Sequence, residues 1–177
     1  KPIVNRSVAP AGEDLTGFSL FGLRVPNGRS LVLAGGDIVI DGGGIQALGG
    51  QIKLLGVADS ATLSLNIDGS NLSLNIPEEV TRGNITLQNG ASIDVTADDG
   101  GSIAIKARNL EILDSSILAG IDVGLGTVDA QAGDIVLEAT EAMTIAGSNI
   151  DNLVKSGGIG KGGNLQIDTD SLLAKNF

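Results

Sequence analysis

The side chains most able to do chemistry in this chain are its carboxylates, because it contains no His, Cys, Tyr or Trp. Without His or Cys the chain cannot build the usual zinc sites, bind a haem iron through His or Cys, hold an iron–sulfur cluster or form a Ser-His-Asp triad. It also forms no disulfides, so disulfide pairing says nothing about its compartment. The acidic residues and their nearest cations are therefore the candidates for a site.

The group that comes nearest to a catalytic arrangement is Asp98 and Asp99 together with Arg108. A glycosidase places two carboxylates across one cleft, and a lyase-like site combines Ca²⁺ ligands with an Arg or Lys. Asp98 and Asp99 are adjacent in sequence, so in a strand or a turn their side chains point apart. Sugar sites also usually offer aromatic platforms, which this chain lacks. We therefore predict no catalytic residues and no enzyme.

Other candidate motifs are equally incomplete. Asp37, Asp94 and Asp134 occupy comparable outward positions and could form a ladder, although solvated outward charges are the usual arrangement. The segment Gly124–Asp129 is similar to the Gly-rich nonapeptide that binds Ca²⁺ between β-roll turns, but those sites need successive copies. The run Gly42–Gly44 is followed by neither Lys-Ser nor Lys-Thr, so it is not a phosphate-binding loop. We predict no metal site and no cofactor.

Short strands with alternating apolar residues account for most of the chain, and Gly, Asn and Asp bound them. Six of these strands share one signature, in which a Gly and a usually polar residue precede Ile or Leu at alternate positions. The glycines are Gly36, Gly50, Gly83, Gly101, Gly133 and Gly163. One such unit is too small to bury its own apolar face, whereas units stacked in parallel about 4.8 Å apart bury a continuous core. The pattern predicts an all-β, right-handed parallel β-helix, with an ordinary β-sandwich as the alternative.

More detailed expectations follow for the coils. We expect the strands that begin at five of these glycines to pair in parallel on one face: Gly36, Gly83, Gly101, Gly133 and Gly163. We expect one buried stack to contain Ile38, Ile85, Ile103, Ile135 and Leu165. Two alternating strands around Asp68-Gly69 predict an antiparallel hairpin near residues 61–76, or else two ordinary coil strands. Residues 1–30 are expected to form an irregular lead-in or edge coil, and 31–177 the coils of one domain.

Length and net charge further limit the class of protein to which this chain could belong. A chain of 177 residues is long enough for one domain with its own core. A net charge of −10 argues against a nucleic-acid partner, which needs a positive face. No apolar run approaches the roughly 18 residues that would span a membrane. The chain begins at Lys1 without a signal-peptide pattern, which we interpret as a mature or excised piece of a longer protein.

Seven short segments, taken in order, resemble the filamentous-haemagglutinin-like exoproteins of two-partner secretion systems, and the large cyanobacterial members most closely. They are Leu23–Leu31, Gly35–Ile38, Asp41–Gly44, Gly101–Ile105, Asn109–Ile112, Leu118–Ile121 and Gln131–Ile135. The similarity covers nearly the whole chain from about Asn5 onward. The family carries an Asn-Pro-Asn-Gly element in its secretion domain, and this sequence has none, because Val25 precedes Pro26-Asn27-Gly28. The resemblance therefore points to a segment that follows the secretion signal.

What the resemblance implies is a β-helix that is exported through an outer-membrane partner pore and acts as a surface-attached or released adhesin. We accordingly expect a structural or adhesive segment with a transporter as its partner during export, a cell-surface or matrix ligand of unknown identity, and a place outside the cell. A β-helical polysaccharide lyase or glycosidase is the alternative. Because the last unit from Gly163 to Leu173 is not completed before Phe177, we also expect end-to-end self-association, or covering of the last coil by the tail.

Overall fold

The computed structural model describes residues 1–69, 71–75, 77 and 80–175, and within them every regular element is a β-strand. No helix in these residues is long and apolar enough to cross a membrane. The strands are β1 (Ile3–Asn5), β2 (Pro10–Glu13), β3 (Ser19–Phe21), β4 (Leu23–Arg24), β5 (Leu31–Gly35), β6 (Ile38–Asp41), β7 (Gly44–Gln46), β8 (Gln51–Gly56), β9 (Ser64–Asp68), β10 (Asn71–Asn75), β11 (Ile85–Gln88), β12 (Ser92–Asp94), β13 (Ser102–Ala107), β14 (Leu110–Leu113), β15 (Ser116–Ile121), β16 (Gly126–Gln131), β17 (Ile135–Ala146), β18 (Asn149–Val154), β19 (Ile159–Lys161) and β20 (Leu165–Lys175).

Parallel pairing arranges these strands as three stacks, which form the three sides of a solenoid. The first side stacks β5, β8, β13 and the first halves of β17 and β20. The second side stacks β1, β6, β11, β14 and the second halves of β17 and β20. The third side stacks β4, β7, β12, β15 and β18. Each coil takes one strand from each side in turn, so the chain is a parallel β-helix, as predicted.

Alternation within each strand fills the interior. In β13, Ile103, Ile105 and Ala107 are buried, while the residues between them are only partly covered. Residues in register on the coils before and after continue the same alternation, so the core is a stack of aliphatic side chains. Gly101 marks the corner before β13 with φ +73°, and a Cβ there would overlap the carbonyl oxygen of Val95. A corner this tight admits glycine and little else.

The expectation of one shared face for the Gly-initiated strands is wrong. The strands after Gly101, Gly133 and Gly163 lie on the first side, whereas those after Gly36 and Gly83 lie on the second. The reason is that glycine serves both the corner before the first side and the corner that follows it, so one local signature occurs at two phases of the coil.

The predicted buried stack is correspondingly split in two. Ile38 and Ile85 are in register on the second side. Ile103, Ile135 and Leu165 are in register on the first side. All of these except Leu165 are buried, and Leu165 is 46% exposed because it lies on the last coil.

Two antiparallel hairpins leave the solenoid. Strands β9 and β10 pair antiparallel with Asp68 opposite Asn71, which confirms the hairpin predicted near residues 61–76; Ile76 lies outside the described residues. Near the N-terminus, β2 and β3 form the second hairpin, while β1 and β4 on either side of it join the second and third sides.

The last described coil exposes part of its interior surface. Strand β20 pairs with β17 along its whole length. Its inward residues Leu165, Ile167 and Leu172 are 46%, 36% and 50% exposed, whereas the residues in register on β17 are at most 1% exposed. The tail that ends in Phe177 lies outside the described residues.

Candidate functional site: an outer cleft beneath the hairpin

The structure does not bring together the acidic group singled out from the sequence. Asp99 lies at the corner before β13, where its Oδ1 accepts the backbone N–H of Gly100 at 2.9 Å and of Gln131 at 2.8 Å. Asp98 is exposed in the same turn. Arg108 lies at the corner between β13 and β14, where its Nε donates to Asn84 Oδ1 at 3.2 Å. Asp99 therefore ties one coil to the next, and Arg108 belongs to a different corner.

Asp37, Asp94 and Asp134 do not form the ladder that their outward positions could have allowed. Asp37 lies at the corner between the first and second sides, Asp134 at the corner before the first side, and Asp94 at the end of β12 on the third side. A different ladder exists, because an acidic side chain at a corner accepts the backbone N–H of the next coil. Asp37 Oδ1 accepts from Asn84 at 2.8 Å, and Asp134 Oδ1 accepts from Asn164 at 2.7 Å. These carboxylates hold coils together and do not converge on a cleft.

Asp94 is the acidic side chain whose surroundings are most unusual. Burial raises the pKa of its carboxyl, although hydrogen bonds from Thr96 and the charge of Lys155 oppose this effect, and the charge of Asp122 adds to it. Its Oδ1 accepts the Thr96 backbone N–H at 2.8 Å. Gln46 lies beside it in register on β7, and the side-chain oxygen Oε1 of Gln46 is buried without a donor. Asp94 is partly exposed at the end of β12, and it does not line the cleft described below.

The two glycine-rich motifs are structural in this fold. Gly42–Gly44 makes the turn from β6 into β7, and Gly42 has a φ of +68°. The segment Gly124–Asp129 runs into β16, which pairs in parallel with β19 beside the third side. Among the described residues, no group of three acidic, His or Cys side chains is placed to hold a metal ion.

The cleft that does form lies on the outside of the first side, where the β9–β10 hairpin folds over it. Its walls are Lys53, Leu54 and Leu55 of β8, Ala104 and Lys106 of β13, Val136 of β17 and Leu74 of β10. The cleft is partly open to solvent and has a volume of about 280 Å³. Lys53 Nζ donates to the carbonyl oxygen of Leu72 and so connects the solenoid to the hairpin.

Two of the lining residues, Lys53 and Lys106, are cations in a chain that is strongly acidic, and Arg82 lies beside Lys106 at a shared carboxylate. Lys106 Nζ lies 2.9 Å and Arg82 Nη2 lies 3.2 Å from the same carboxylate oxygen, Glu138 Oε2. That oxygen has no hydrogen bond of good geometry, so both contacts are ion pairs without aligned N–H donors. Burial lowers the pKa of the Lys53 ammonium. The sequence reasoning missed this cluster, because only the register places Lys106 beside Glu138.

An acidic arrangement continues the same surface toward the last described coil. Asp168 lies next to Glu138 in register, and both line a cavity of about 300 Å³ with Arg82 and Asp170. Residues in register on neighbouring coils are about 4.8 Å apart at their backbones. Glu138 and Asp168 are thus two carboxylates that the fold places side by side on neighbouring coils, and a catalytic pair needs two carboxylates facing one cleft.

Comparisons of this chain with protein-family models, with curated proteins and with solved structures found no match.

Proposed function

We propose that this chain is a structural and adhesive β-helical segment of a large exoprotein that is exported by two-partner secretion and is then secreted or held at the outer cell surface. The observation that carries the proposal is the continuous solenoid, whose stacked coils bury one large cluster of apolar side chains. The polar side chains at its corners bond coil to coil. A solenoid of this kind supplies length and outer surface, which are what an adhesin needs. The ordered motifs that resemble haemagglutinin-like exoproteins support the same proposal.

The absence of Cys also agrees with export through a pore. A disulfide formed before translocation would close a loop that has to pass through the pore extended, and this chain has no Cys with which to form one. A net charge of −10 would keep an extracellular solenoid soluble.

The alternative, a carbohydrate-active enzyme, is favoured by one observation, which is the neighbouring position of Glu138 and Asp168 beside Arg82. Three features count against it. Asp168 is exposed on the last described coil, Glu138 is shared by two cations, and no Trp or Tyr offers a sugar a stacking surface.

Localisation tests the proposal directly. Antibodies against the chain should detect it in the culture medium or on protease-accessible cell surfaces of the source organism. Disruption of the partner outer-membrane transporter should abolish that signal, while a cytosolic marker protein stays unchanged. A signal confined to the cytosol in both strains would refute the proposal.

Adhesion and catalysis are then separated by two further measurements. Surfaces coated with the purified chain should retain cells of the source organism better than surfaces coated with serum albumin. Hydrolase or lyase activity on acidic polysaccharides that disappears in Glu138→Gln or Asp168→Asn, but persists in Asp98→Asn and Asp99→Asn, would instead establish the enzyme.

A further inference from the structure

The outer surface of the first side has an apolar patch that the solenoid itself does not explain. Leu55 is in register with Lys106, so it lies on the outer surface, and it is not part of the core cluster. It is nevertheless only 1% exposed. Ala104 and Val136 continue the patch on the next two coils, in register with each other.

The hairpin presents a matching apolar surface. Leu74 pairs with Leu65 and Leu72 pairs with Ile67 across the two strands, so all four side chains share one face of the hairpin. Leu72 and Leu74 are partly covered, whereas Leu65 and Ile67 remain 48% and 70% exposed. The hairpin therefore covers the patch incompletely and leaves a cavity between the two surfaces.

The cavity is of a size that suits a small aliphatic group. Its volume is about 280 Å³. This is well above the roughly 10–15 Å³ that one water molecule needs, so the cleft has room for a group of several heavy atoms. The walls are aliphatic, without the aromatic surfaces on which sugars and bases stack, so a short alkyl chain is the body that they suit best.

The charges at the rim select an anion. Lys53 and Lys106 are the two cations that line the cleft. Glu138, which Lys106 shares with Arg82, is the one carboxylate among the described residues with an ion pair to either lysine, so the positive charge of Lys53 is not balanced by it. Within the described residues, the hydrogen-bond partner of Lys53 is a neutral carbonyl oxygen, that of Leu72. A partly buried ammonium whose acceptor is neutral is stabilised further when a carboxylate comes within hydrogen-bond distance of it.

We propose that this cleft binds a small aliphatic carboxylate, with its alkyl chain between Leu74 and the Ala104–Val136 surface and its carboxylate at Lys53 and Lys106. Inorganic phosphate fits less well, because most of the wall offers it no donor. The binding site does not depend on where the protein is located, so its test is separate from the test of export.

Calorimetric titration of the whole chain with octanoate tests this inference. We expect saturable binding of one octanoate per chain, with no detectable heat from acetate, which lacks the alkyl chain. Octan-1-ol, which lacks the charge, should bind roughly tenfold or more weakly, as expected when one charge-assisted hydrogen bond is lost.

Three variants locate the site. Lys53→Met keeps the aliphatic stem and removes the charge, so octanoate affinity should fall roughly tenfold or more. Ala104→Leu fills the cavity from an outward position and should abolish binding, with the circular dichroism spectrum unchanged. Lys161→Met removes an exposed cation on β19 that does not line the cleft, so this variant should bind like the parent chain. The inference is overturned if the folded parent chain gives no saturable octanoate binding, or if Lys53→Met and Ala104→Leu bind as tightly as Lys161→Met.

Discussion

Replacing Ile103 with Asp would test the core of the solenoid at its centre. Ile103 is 1% exposed and lies in register between Ile52 and Ile135, both of which are fully buried. Truncation of a buried Ile to Ala costs about 2–5 kcal/mol, and enclosure of a carboxyl group without a partner adds about 1–3 kcal/mol. The sum of about 3–8 kcal/mol is a large part of the 5–15 kcal/mol that typically holds a domain folded.

Urea unfolding followed by circular dichroism measures this loss. Ser102→Asp is the matched control, because it adds the same carboxylate one position away on the outer, partly covered phase of β13 and should change stability by less than about 0.5 kcal/mol. A loss below about 1.5 kcal/mol for Ile103→Asp, or equal losses for the two variants, would refute the inward stacking of the first side.

The pH dependence of the same variant gives a second check with a definite sign. An Asp at position 103 would have its pKa raised by burial, so the folded state would bind more protons than the unfolded state above the unfolded pKa of about 3.9. Stability would then fall as pH rises from about 4 toward neutrality. The difference between Ile103→Asp and the parent chain should therefore be smaller at pH 4 than at pH 7, and a difference that grows on acidification would contradict the argument.

Three further outcomes are expected. Hydrogen bonds from Asn89, Arg6 and Gln88 lower the pKa of Asp41 to about 2, so the stability that the ionised carboxylate contributes should be lost as pH falls from about 4 toward 2. NMR titration should place the Asp41 midpoint at about 2, and Asn89→Ala should raise it. A midpoint that Asn89→Ala leaves unchanged would contradict this. Because burial raises the pKa of Asp94, ionisation of its carboxyl opposes folding above pH about 4. Asp94→Asn should therefore raise the melting temperature more at pH 7 than at pH 4, and a lower melting temperature for this variant at pH 7 would contradict the argument. The exposed apolar surface of β20 should make the chain self-associate end to end, which sedimentation across a wide concentration range would detect. Leu172→Lys should weaken this association. A parent chain that stays monomeric at every concentration would refute the prediction.

The fold could be predicted from the sequence because its determinants are local. Alternating apolar residues define strands, glycines mark corners, and Asp68-Gly69 marks the hairpin turn, all within a few residues. Which side of the solenoid each strand joins could not be predicted in the same way. Gly36 and Gly101 open strands of the same signature, and only the number of residues per coil decides which corner each occupies.

The candidate site could not be predicted, because it depends on residues far apart in the sequence. Lys53, Lys106 and Glu138 meet only after β8, β13 and β17 have paired in a particular register. Conversely, Asp99 and Asp37 were candidate site carboxylates in the sequence, whereas in the fold each accepts a backbone N–H from the next coil. Their role became visible only with the stacking of the coils.

The corner hydrogen bonds have a mechanical consequence. Asp37 accepts from the backbone of Asn84, Asn84 Oδ1 from Asn109 Nδ2, and Asn109 Oδ1 from the backbone of Ala142, so each bond closes only when the next coil arrives. A chain pulled from its C-terminal end should therefore lengthen in discrete steps, one coil at a time. The coils that begin at Gly101 and Gly133 contain 133 − 101 = 32 and 163 − 133 = 30 residues. At about 3.4 Å per extended residue, each step would release on the order of 100 Å of chain.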